Sequence, residues 1–189
     1  MQQPEFPTLE TQRLRLIELD HQHASALLAI HQDAHHMRHW GANPFTNLSS
    51  AHEFISACRT GWKLQTPVLR WALERRTNGE FLGTCGLFGW DQRWQKCFLG
   101  YELNSNAQRQ GLMREALKKI LTWGFERGQL HRVEALIHPD NQASLGLAAQ
   151  LGFQVEGRLR EVAFWSEIRQ DMLQLGLLHS EFLESPKSK

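Results

Sequence analysis

Apolar and polar residues change their period several times along the chain. Over residues 13–19 basic and apolar residues nearly alternate, a period of two that predicts a β-strand. From Asp20, a good helix N-cap, apolar residues recur at helical spacing to about residue 30. Residues 35–48 contain glycine, proline and asparagine at turn positions, which predicts a loop or a short broken helix. A second helix is predicted over 49–64.

The middle of the chain has the pattern of an antiparallel meander. Two strand-like runs, 68–75 and 80–88, flank the dipeptide Asn78-Gly79. Asn-Gly favours a type I′ hairpin turn, because that turn needs positive φ at both central residues. A polar loop over 89–95 leads to a third strand over 96–103. We therefore expect three neighbouring antiparallel strands.

The second half alternates between helix and strand. An amphipathic helix begins near Gln108 and ends by Gly128, with one apolar side formed by Leu112, Met113, Ala116, Leu117, Ile120, Leu121 and Phe125. After it we expect a strand over 132–137, a short helix from 139 to 152, strands over 153–164 and 171–178, and a frayed tail over 184–189. We expect one domain over 1–189 with its core at about 8–180, because the sequence shows neither a repeat nor a linker.

Composition excludes several classes of protein. Of 189 residues, 41% are hydrophobic and 22% charged, ordinary globular values that disfavour disorder and coiled coils. A net charge of +1 disfavours a nucleic-acid partner. No apolar run approaches the ~20 residues that span a bilayer, and the N-terminus lacks the pattern of a signal peptide. Cys58, Cys85 and Cys97 form no CxxC pair, so we expect reduced thiols and a cytoplasmic location.

The segment 103–117 carries the most informative chemistry. It consists of a strand, a tight polar loop and the start of the amphipathic helix, with Gly111 in the first turn. Such a loop turns successive backbone N–H groups toward one point, where they favour a bound pyrophosphate. Because Gly111 has no Cβ, a phosphate can approach the backbone closely there. Arg109 and Arg114 are suited to contact phosphate oxygens. The alternative is that Gly111 merely eases the helix start and both arginines are solvated.

The loop is part of a wider resemblance. Gln108-Arg-Gln-Gly-Leu-Met113 resembles the acyl-CoA-binding motif (Q/R-x-x-G-x-G/A) of the GNAT family of N-acetyltransferases, with Met113 at the second small position. Segments 11–16, 110–117, 131–135 and 138–144, followed by Leu151-Gly-Phe153, are similar to the branch that acetylates ribosomal-protein N-termini on alanine or serine. The resemblance extends over about residues 8–180.

The resemblance implies an α+β fold and a coenzyme. The expected sheet is mixed, mostly antiparallel and seven-stranded, with helices on both faces and a splay between its fourth and fifth strands. Acetyl-CoA is implied as co-substrate, without a metal. The coenzyme-binding residues carried over are Leu103, Asn104, Ser105, Gln108, Arg109, Gln110, Gly111, Leu112, Met113, Arg114 and Asn141. Asn141 also suits a helix N-cap.

The implied reaction is direct attack of an amine on the thioester. An amine must lose a proton before it attacks, and Glu102 is the predicted base, acting through a water. The alternative for Glu102 is an ordinary outward-facing strand residue. Many family members protonate the leaving thiolate with a tyrosine, but that position is Ala148 here. Ser144 is therefore the predicted acid, with a local helix cap as its alternative.

The residues predicted to bind the acceptor amine are identified from their position in the sequence and not from a motif. His36, His39 and Trp40 follow the first helix and are predicted to line the acceptor groove; the alternative is a polar surface loop. Trp90 is predicted to contact the acceptor, or else to cover the sheet or form a subunit interface. His31, His35 and His39 have helical spacing, but we expect no metal site because the helix breaks there. The resemblance predicts a protein N-terminal α-amine as the acceptor. The alternatives are an acetyltransferase for a small amine and a non-catalytic acyl-CoA-binding module, and a homodimer is left open.

Overall fold

The computed structural model describes residues 5–64 and 66–184, except for the side chains of His35, His36 and Glu184. Apart from the backbone of Glu184, the predicted frayed tail lies outside the described residues. The strands are β1 (Leu9–Glu10), β2 (Leu14–Glu18), β3 (Leu69–Arg75), β4 (Phe81–Asp91), β5 (Lys96–Leu103), β6 (Arg132–Ile137), β7 (Gln154–Trp165) and β8 (Ile168–Leu178). The helices are α1 (Ala24–His31), α2 (Ala34–Met37), α3 (Leu48–Gly61), α4 (Leu112–Glu126), α5 (Gln142–Gln150) and α6 (His179–Glu184), with short 3-10 turns at His21–His23 and Ser105–Ala107.

One mixed sheet organises these elements. Its described strands lie in the order β1-β2-β3-β4-β5-β6-β8-β7, and every neighbouring pair is antiparallel except β5 and β6. The sheet has eight strands rather than the predicted seven, because Leu9 and Glu10 pair with Leu16 and Arg15 as an additional two-residue edge strand. The mixed, mostly antiparallel architecture is confirmed.

The parallel pair separates after a short contact. β5 and β6 are in register only from Lys96 opposite Arg132 to Phe98 opposite Glu134. From Leu99 onward β5 stays paired with β4, and β6 stays paired with β8. Without the short β1, these are the fourth and fifth strands, so the splay is where the resemblance places it.

Helices cover both faces of the sheet. All seven apolar residues predicted on one side of α4 are buried, and they pack on the sheet with Trp71, Leu87 and Leu99. On the opposite face α1 and α3 bury a smaller cluster made of Leu19, Ala24, Leu27, Ala51, Ile55 and Ala72. The helical period of α4 therefore predicted its packed face correctly.

The hairpin between β3 and β4 differs from the prediction. Gly79 has φ +71°, but Asn78 is not among the described residues with positive φ, so the turn is not type I′. The Arg75 carbonyl accepts a bond from Gly79 N–H at 2.9 Å, and Arg75 N–H donates to the Glu80 carbonyl at 2.9 Å. The strands are thus joined by the four residues 76–79, too many for a two-residue turn.

The cysteines are buried thiols without disulfides, as predicted. Burial raises the pKa of Cys85 to about 12, so this thiol is unreactive at neutral pH. Within the described part of the chain, no helix has both the length and the apolar character needed to cross a membrane.

Candidate active site

The splay between β5 and β6 opens into a large cavity of about 1580 Å³. At one end, called here the α4 end, it is lined by Leu103, residues 107–114 with the exception of Gln110, and the start of α5. At the other, the loop end, it is lined by residues 37–43 together with Phe45, Phe54, Arg70, Phe88, Phe98 and Val162. The cavity therefore connects two chemically different surfaces through the gap in the sheet.

The α4 end has an uncapped helix N-terminus. Helices α3 and α5 begin with Asn47 and Asn141, whose side chains accept from backbone N–H groups of the first turn. Helix α4 begins at Gly111, which has φ +74° and provides no side-chain cap. Arg109 also has positive φ, +58°, and Arg109, Gly111 and Leu112 all line the cavity. Uncapped amides and the positive end of the helix dipole suit a bound anion such as a diphosphate.

At the loop end a carboxylate is buried in a polar network. Glu102 Oε1 accepts from Thr84 Oγ1 at 2.6 Å and lies 3.5 Å from Arg70 Nη2. Glu102 Oε2 lies 2.9 Å from His31 Nε2. Burial alone would raise the pKa of Glu102, but the His31 contact, the Arg70 charge and the Thr84 bond outweigh it and lower that pKa. The carboxylate therefore stays charged at neutral pH.

Aromatic side chains pack against both Arg70 and His31, the two partners of Glu102. The guanidinium of Arg70 lies between Trp40 and Phe54, 5.4 Å from each ring centroid. The His31 ring stacks on Phe45 at 3.8 Å, and Phe45 N–H donates to His31 Nδ1 at 3.2 Å. Since Nδ1 accepts this bond, the imidazole proton lies on Nε2, facing Glu102. The guanidinium of Arg70 and the carboxylate of Glu102 form an ion pair inside this network.

The glycines beside Arg70 explain how a buried guanidinium fits. Arg70, Gly86 and Gly100 lie side by side on β3, β4 and β5. A Cβ at Gly86 would be 2.9 Å from Arg70 Cδ, and one at Gly100 would be 3.4 Å from Arg70 Nη1. The two glycines leave a trough across the sheet in which the arginine lies. The sequence analysis did not identify Arg70, because its alignment with the two glycines becomes visible only from the register of three strands.

The predicted acceptor residues have three different outcomes. His39 and Trp40 line the loop end of the cavity. His36 belongs to α2, and its side chain is outside the described part of the structure. Trp90 is only 8% exposed and packs in the core against Trp123, with ring centroids 6.4 Å apart. Trp90 is therefore a core residue, and the prediction that it contacts the acceptor is wrong.

One group of possible metal ligands is present among the described side chains. It consists of His39, His138 and Asp140. The two imidazoles are stacked 4.6 Å apart at 11°, so the lone pairs in their ring planes do not converge on one point. In addition, His138 Nδ1 accepts from Asp140 N–H, and His138 Nε2 lies 3.2 Å from Gln170 Oε1. The three side chains are therefore arranged as in an ordinary packing contact and not as ligands around one metal ion.

Comparisons with known proteins identify the family of this chain. The family model described as Acetyltransferase (GNAT) domain matches residues 13–154. The chain belongs to the GNAT acetyltransferase family. The uncharacterized N-acetyltransferase YoaA of Bacillus subtilis is 34% identical over 161 residues, 84% of this chain and 89% of that protein.

Two further matches extend the comparison. YdaF of Bacillus subtilis, named as a candidate ribosomal N-acetyltransferase, is 27% identical over 138 residues, 72% of this chain and 75% of YdaF. The structure of Mycobacterium smegmatis RimJ in complex with CoA-disulfide has a TM-score of 0.79 at 24% identity, covering 91% of this chain and 85% of that one. The GNAT protein described here is an acetyl-CoA-dependent N-acetyltransferase.

The structure separates the predicted coenzyme residues of this acetyltransferase into two groups. Those that line the cavity are Leu103, Gln108, Arg109, Gly111, Leu112, Met113, Arg114 and Asn141. Those that do not are Asn104, Ser105 and Gln110. Asn104 caps the turn at Ser105–Ala107, and Gln110 Nε2 donates to the Asn106 carbonyl at 2.9 Å, so both shape the loop from behind. Met113 is 7% exposed and packs in the core, which explains why its bulk is tolerated beside the amides.

The structure does not support Glu102 as the base of the GNAT reaction. Its side chain is 1% exposed, and each carboxylate oxygen has a close polar neighbour. A general base must reach the amine directly or through one water, and a lowered pKa weakens it further. The burial could not be predicted from alternation along β5, because it depends on His31 from α1 and Arg70 from β3.

Ser144 lies on the cavity wall in the first turn of α5. Its backbone N–H is capped by Asn141 Oδ1 at 3.1 Å, and its carbonyl accepts from Tyr101 Oη at 3.4 Å. The cap predicted for Asn141 is thus present, and the backbone of Ser144 is held on both sides. Ala148, at the family's tyrosine position, is buried.

The placement of Trp90 leads to a testable prediction. We expect Trp90→Leu to lower the free energy of unfolding by about 2 kcal/mol, because it leaves a cavity in the core, and to leave the acceptor KM unchanged. Trp94→Leu is the matched control: Trp94 is 64% exposed, so the change should cost less than about 0.5 kcal/mol. Chemical denaturation and steady-state kinetics measure both. A raised acceptor KM in the Trp90 variant alone would contradict the core placement.

Proposed function

We propose that this enzyme transfers the acetyl group of acetyl-CoA to the α-amine of a protein N-terminus. The observation that carries the proposal is the charge on the cavity wall. Among the described residues that line it, Glu102 is the sole carboxylate, and Arg70 neutralises it. Arg38, Arg109 and Arg114 line the same cavity. Such a wall attracts an anionic nucleotide and repels a polyamine.

The ionisation of the acceptor supports an α-amine. At pH 7 about one in ten α-amines is neutral, because their pKa is about 8, against roughly one in 2,500 lysine side chains with a pKa of about 10.4. Since the one carboxylate on the described cavity wall is buried, the enzyme depends on amines that are already neutral. An N-terminal α-amine meets that requirement far better than a lysine or a polyamine does.

The reaction proceeds by direct attack. The amine nitrogen forms a bond to the thioester carbonyl, the carbon–sulfur bond breaks, and the amine proton leaves to water. We place the α4 end around the diphosphate, with Arg109, Gly111 and Leu112 as principal contacts, and His39 and Trp40 beside the acceptor. The Ser144 hydroxyl is the proposed donor of a proton to the departing thiolate, itself reprotonated from water. The name of YdaF, a candidate ribosomal N-acetyltransferase, supports a protein acceptor.

The release of free CoA thiol tests the proposal. The panel contains peptides beginning with alanine or serine, the same peptides with a blocked N-terminus and an internal lysine, free amino acids, and spermidine. We expect kcat/KM for the free N-terminal peptides to exceed that for every other member by at least about tenfold, as their neutral fraction requires. A faster reaction with spermidine or with a free amino acid would instead establish a small-amine acetyltransferase.

A further inference from the structure

Arg13 connects the N-terminal part of the sheet to the loop before α4. It immediately precedes β2 and is about a hundred residues away from that loop in sequence. Its Nε donates to Glu115 Oε2 at 2.7 Å, and its backbone N–H donates to Glu115 Oε1 at 2.9 Å. Its Nη1 donates to the Gln110 carbonyl at 2.9 Å. One side chain thus holds both the loop and the first turn of the helix.

The Gln110 carbonyl is an effective point at which to hold this loop. Gln110 lies between Arg109 and Gly111, the two residues with left-handed backbone. A left-handed conformation is costly for arginine, so the loop needs an external restraint to keep it. The bond from Arg13 to the Gln110 carbonyl restrains the Gln110–Gly111 peptide plane, and with it the direction of the Gly111 amide.

Arg13 also cancels an unfavourable charge. Glu115 lies in the first turn of α4, beside the proposed diphosphate site. Burial would raise the pKa of Glu115, but hydrogen bonds from Thr11 and Arg13 and the Arg13 charge lower it, so Glu115 is an anion at neutral pH. Left alone, this carboxylate would repel a diphosphate. Paired with Arg13 it adds no net charge.

One nitrogen of Arg13 remains available to a ligand. None of the hydrogen bonds that Arg13 makes to described residues uses Nη2. Nη2 lies 3.6 Å from the position that a Cβ would occupy on Gly111, the residue at the head of the uncapped helix. The guanidinium therefore lies next to the anion site while bound to its frame.

We propose that Arg13 is a positioning residue for the CoA diphosphate, holding the loop, neutralising Glu115 and directing Nη2 toward the phosphate oxygens. The inference concerns the coenzyme end alone and does not depend on the identity of the acceptor. The carboxylate and the carbonyl that Arg13 holds come from adjacent turns, which a guanidinium fork matches better than an ammonium.

Isothermal titration with CoA, in the absence of any acceptor, tests this role. We expect Arg13→Gln to raise Kd for CoA about tenfold, and Arg13→Gln/Glu115→Gln to recover only part of that loss, about threefold, because the repelling anion is gone while the bond to the Gln110 carbonyl and the Nη2 contact are still missing. Arg15→Gln is the matched control: Arg15 lies two residues further along the chain, on β2, with its Nε 4.0 Å from Glu10 Oε1, and its loss should leave Kd unchanged.

A second ligand distinguishes positioning from general loss of structure. Pantetheine lacks the diphosphate, and its Kd, measured by NMR titration, should stay within about twofold in Arg13→Gln. Equal losses for CoA and pantetheine would show that Arg13 only supports the fold and would overturn the proposal. An unchanged Kd for CoA would overturn it as well. Failure of the peptide panel has no bearing on these outcomes.

Discussion

Gly111→Ala is expected to weaken CoA binding by about 100-fold while the protein remains folded. Gly111 has φ +74°, and an added Cβ would meet only Arg13 Nη2, at 3.6 Å. The free protein therefore has room for the methyl group, and the cost to folding is the strain of about 1–2 kcal/mol of a left-handed residue. In the proposed binding mode the bound state loses more, because the methyl group would stand between Arg13 Nη2 and the backbone amides proposed to bind the diphosphate.

Gly79→Ala provides the matched control for this change. Gly79 has φ +71° in the β3–β4 hairpin, and a Cβ there would meet nothing within 4 Å. Both variants should thus lose similar stability in thermal denaturation, while only the Gly111 variant loses affinity in calorimetry. Similar Kd values for the two variants would show that the loop before α4 does not bind the diphosphate.

Arg70→Leu is expected to lower the free energy of unfolding by about 3–5 kcal/mol. The substitution leaves the Glu102 carboxylate buried without its cation, and the cost of an uncompensated buried charge exceeds the packing that leucine restores. Arg70→Leu/Glu102→Gln should recover most of the loss, since the charge itself is then gone. Urea denaturation at pH 7 measures all three proteins. A double variant no more stable than Arg70→Leu would contradict the charge argument.

The same pair predicts that the wild type and Arg70→Leu lose stability over different pH ranges. In the wild type the folded-state pKa of Glu102 is lowered, so its contribution to stability is present above the unfolded-state pKa and is lost as pH falls through the folded-state pKa. In Arg70→Leu the cation is gone while the His31 and Thr84 contacts remain, so we expect the pKa of Glu102 to be higher than in the wild type and its contribution to stability to be lost at a higher pH. Parallel stability curves between about pH 4 and pH 7 would contradict the assignment of Arg70 as the partner of Glu102.

Features with a local cause could be predicted from the sequence. The buried face of α4 follows from its helical period, and the helix start without a side-chain cap follows from Gly111 at a strand-to-helix turn. The Asn141 cap follows from the preference of asparagine for helix starts. Each depends on residues within about one turn of one another, so their positions in the sequence suffice.

Features that need distant segments could not be predicted. The burial of Glu102 depends on the register that aligns Arg70 with two glycines, and on the position of His31 on a helix that crosses the strands. Strict alternation would also place Trp90 on the same face as Phe88, which is 37% exposed. A register shift between Phe88 and Asp91, with Gly89 at φ +60°, turns Trp90 to the opposite face and into the core.

Tandem mass spectrometry of a single product tests the proposed activity most directly. The substrate is a peptide with a free N-terminal serine and one internal lysine, incubated with acetyl-CoA and the wild-type enzyme. We expect one added acetyl group, located on the α-nitrogen in every product molecule. Acetylation of the lysine side chain, or no acetylation of this peptide under conditions in which spermidine is acetylated, would contradict the proposed function.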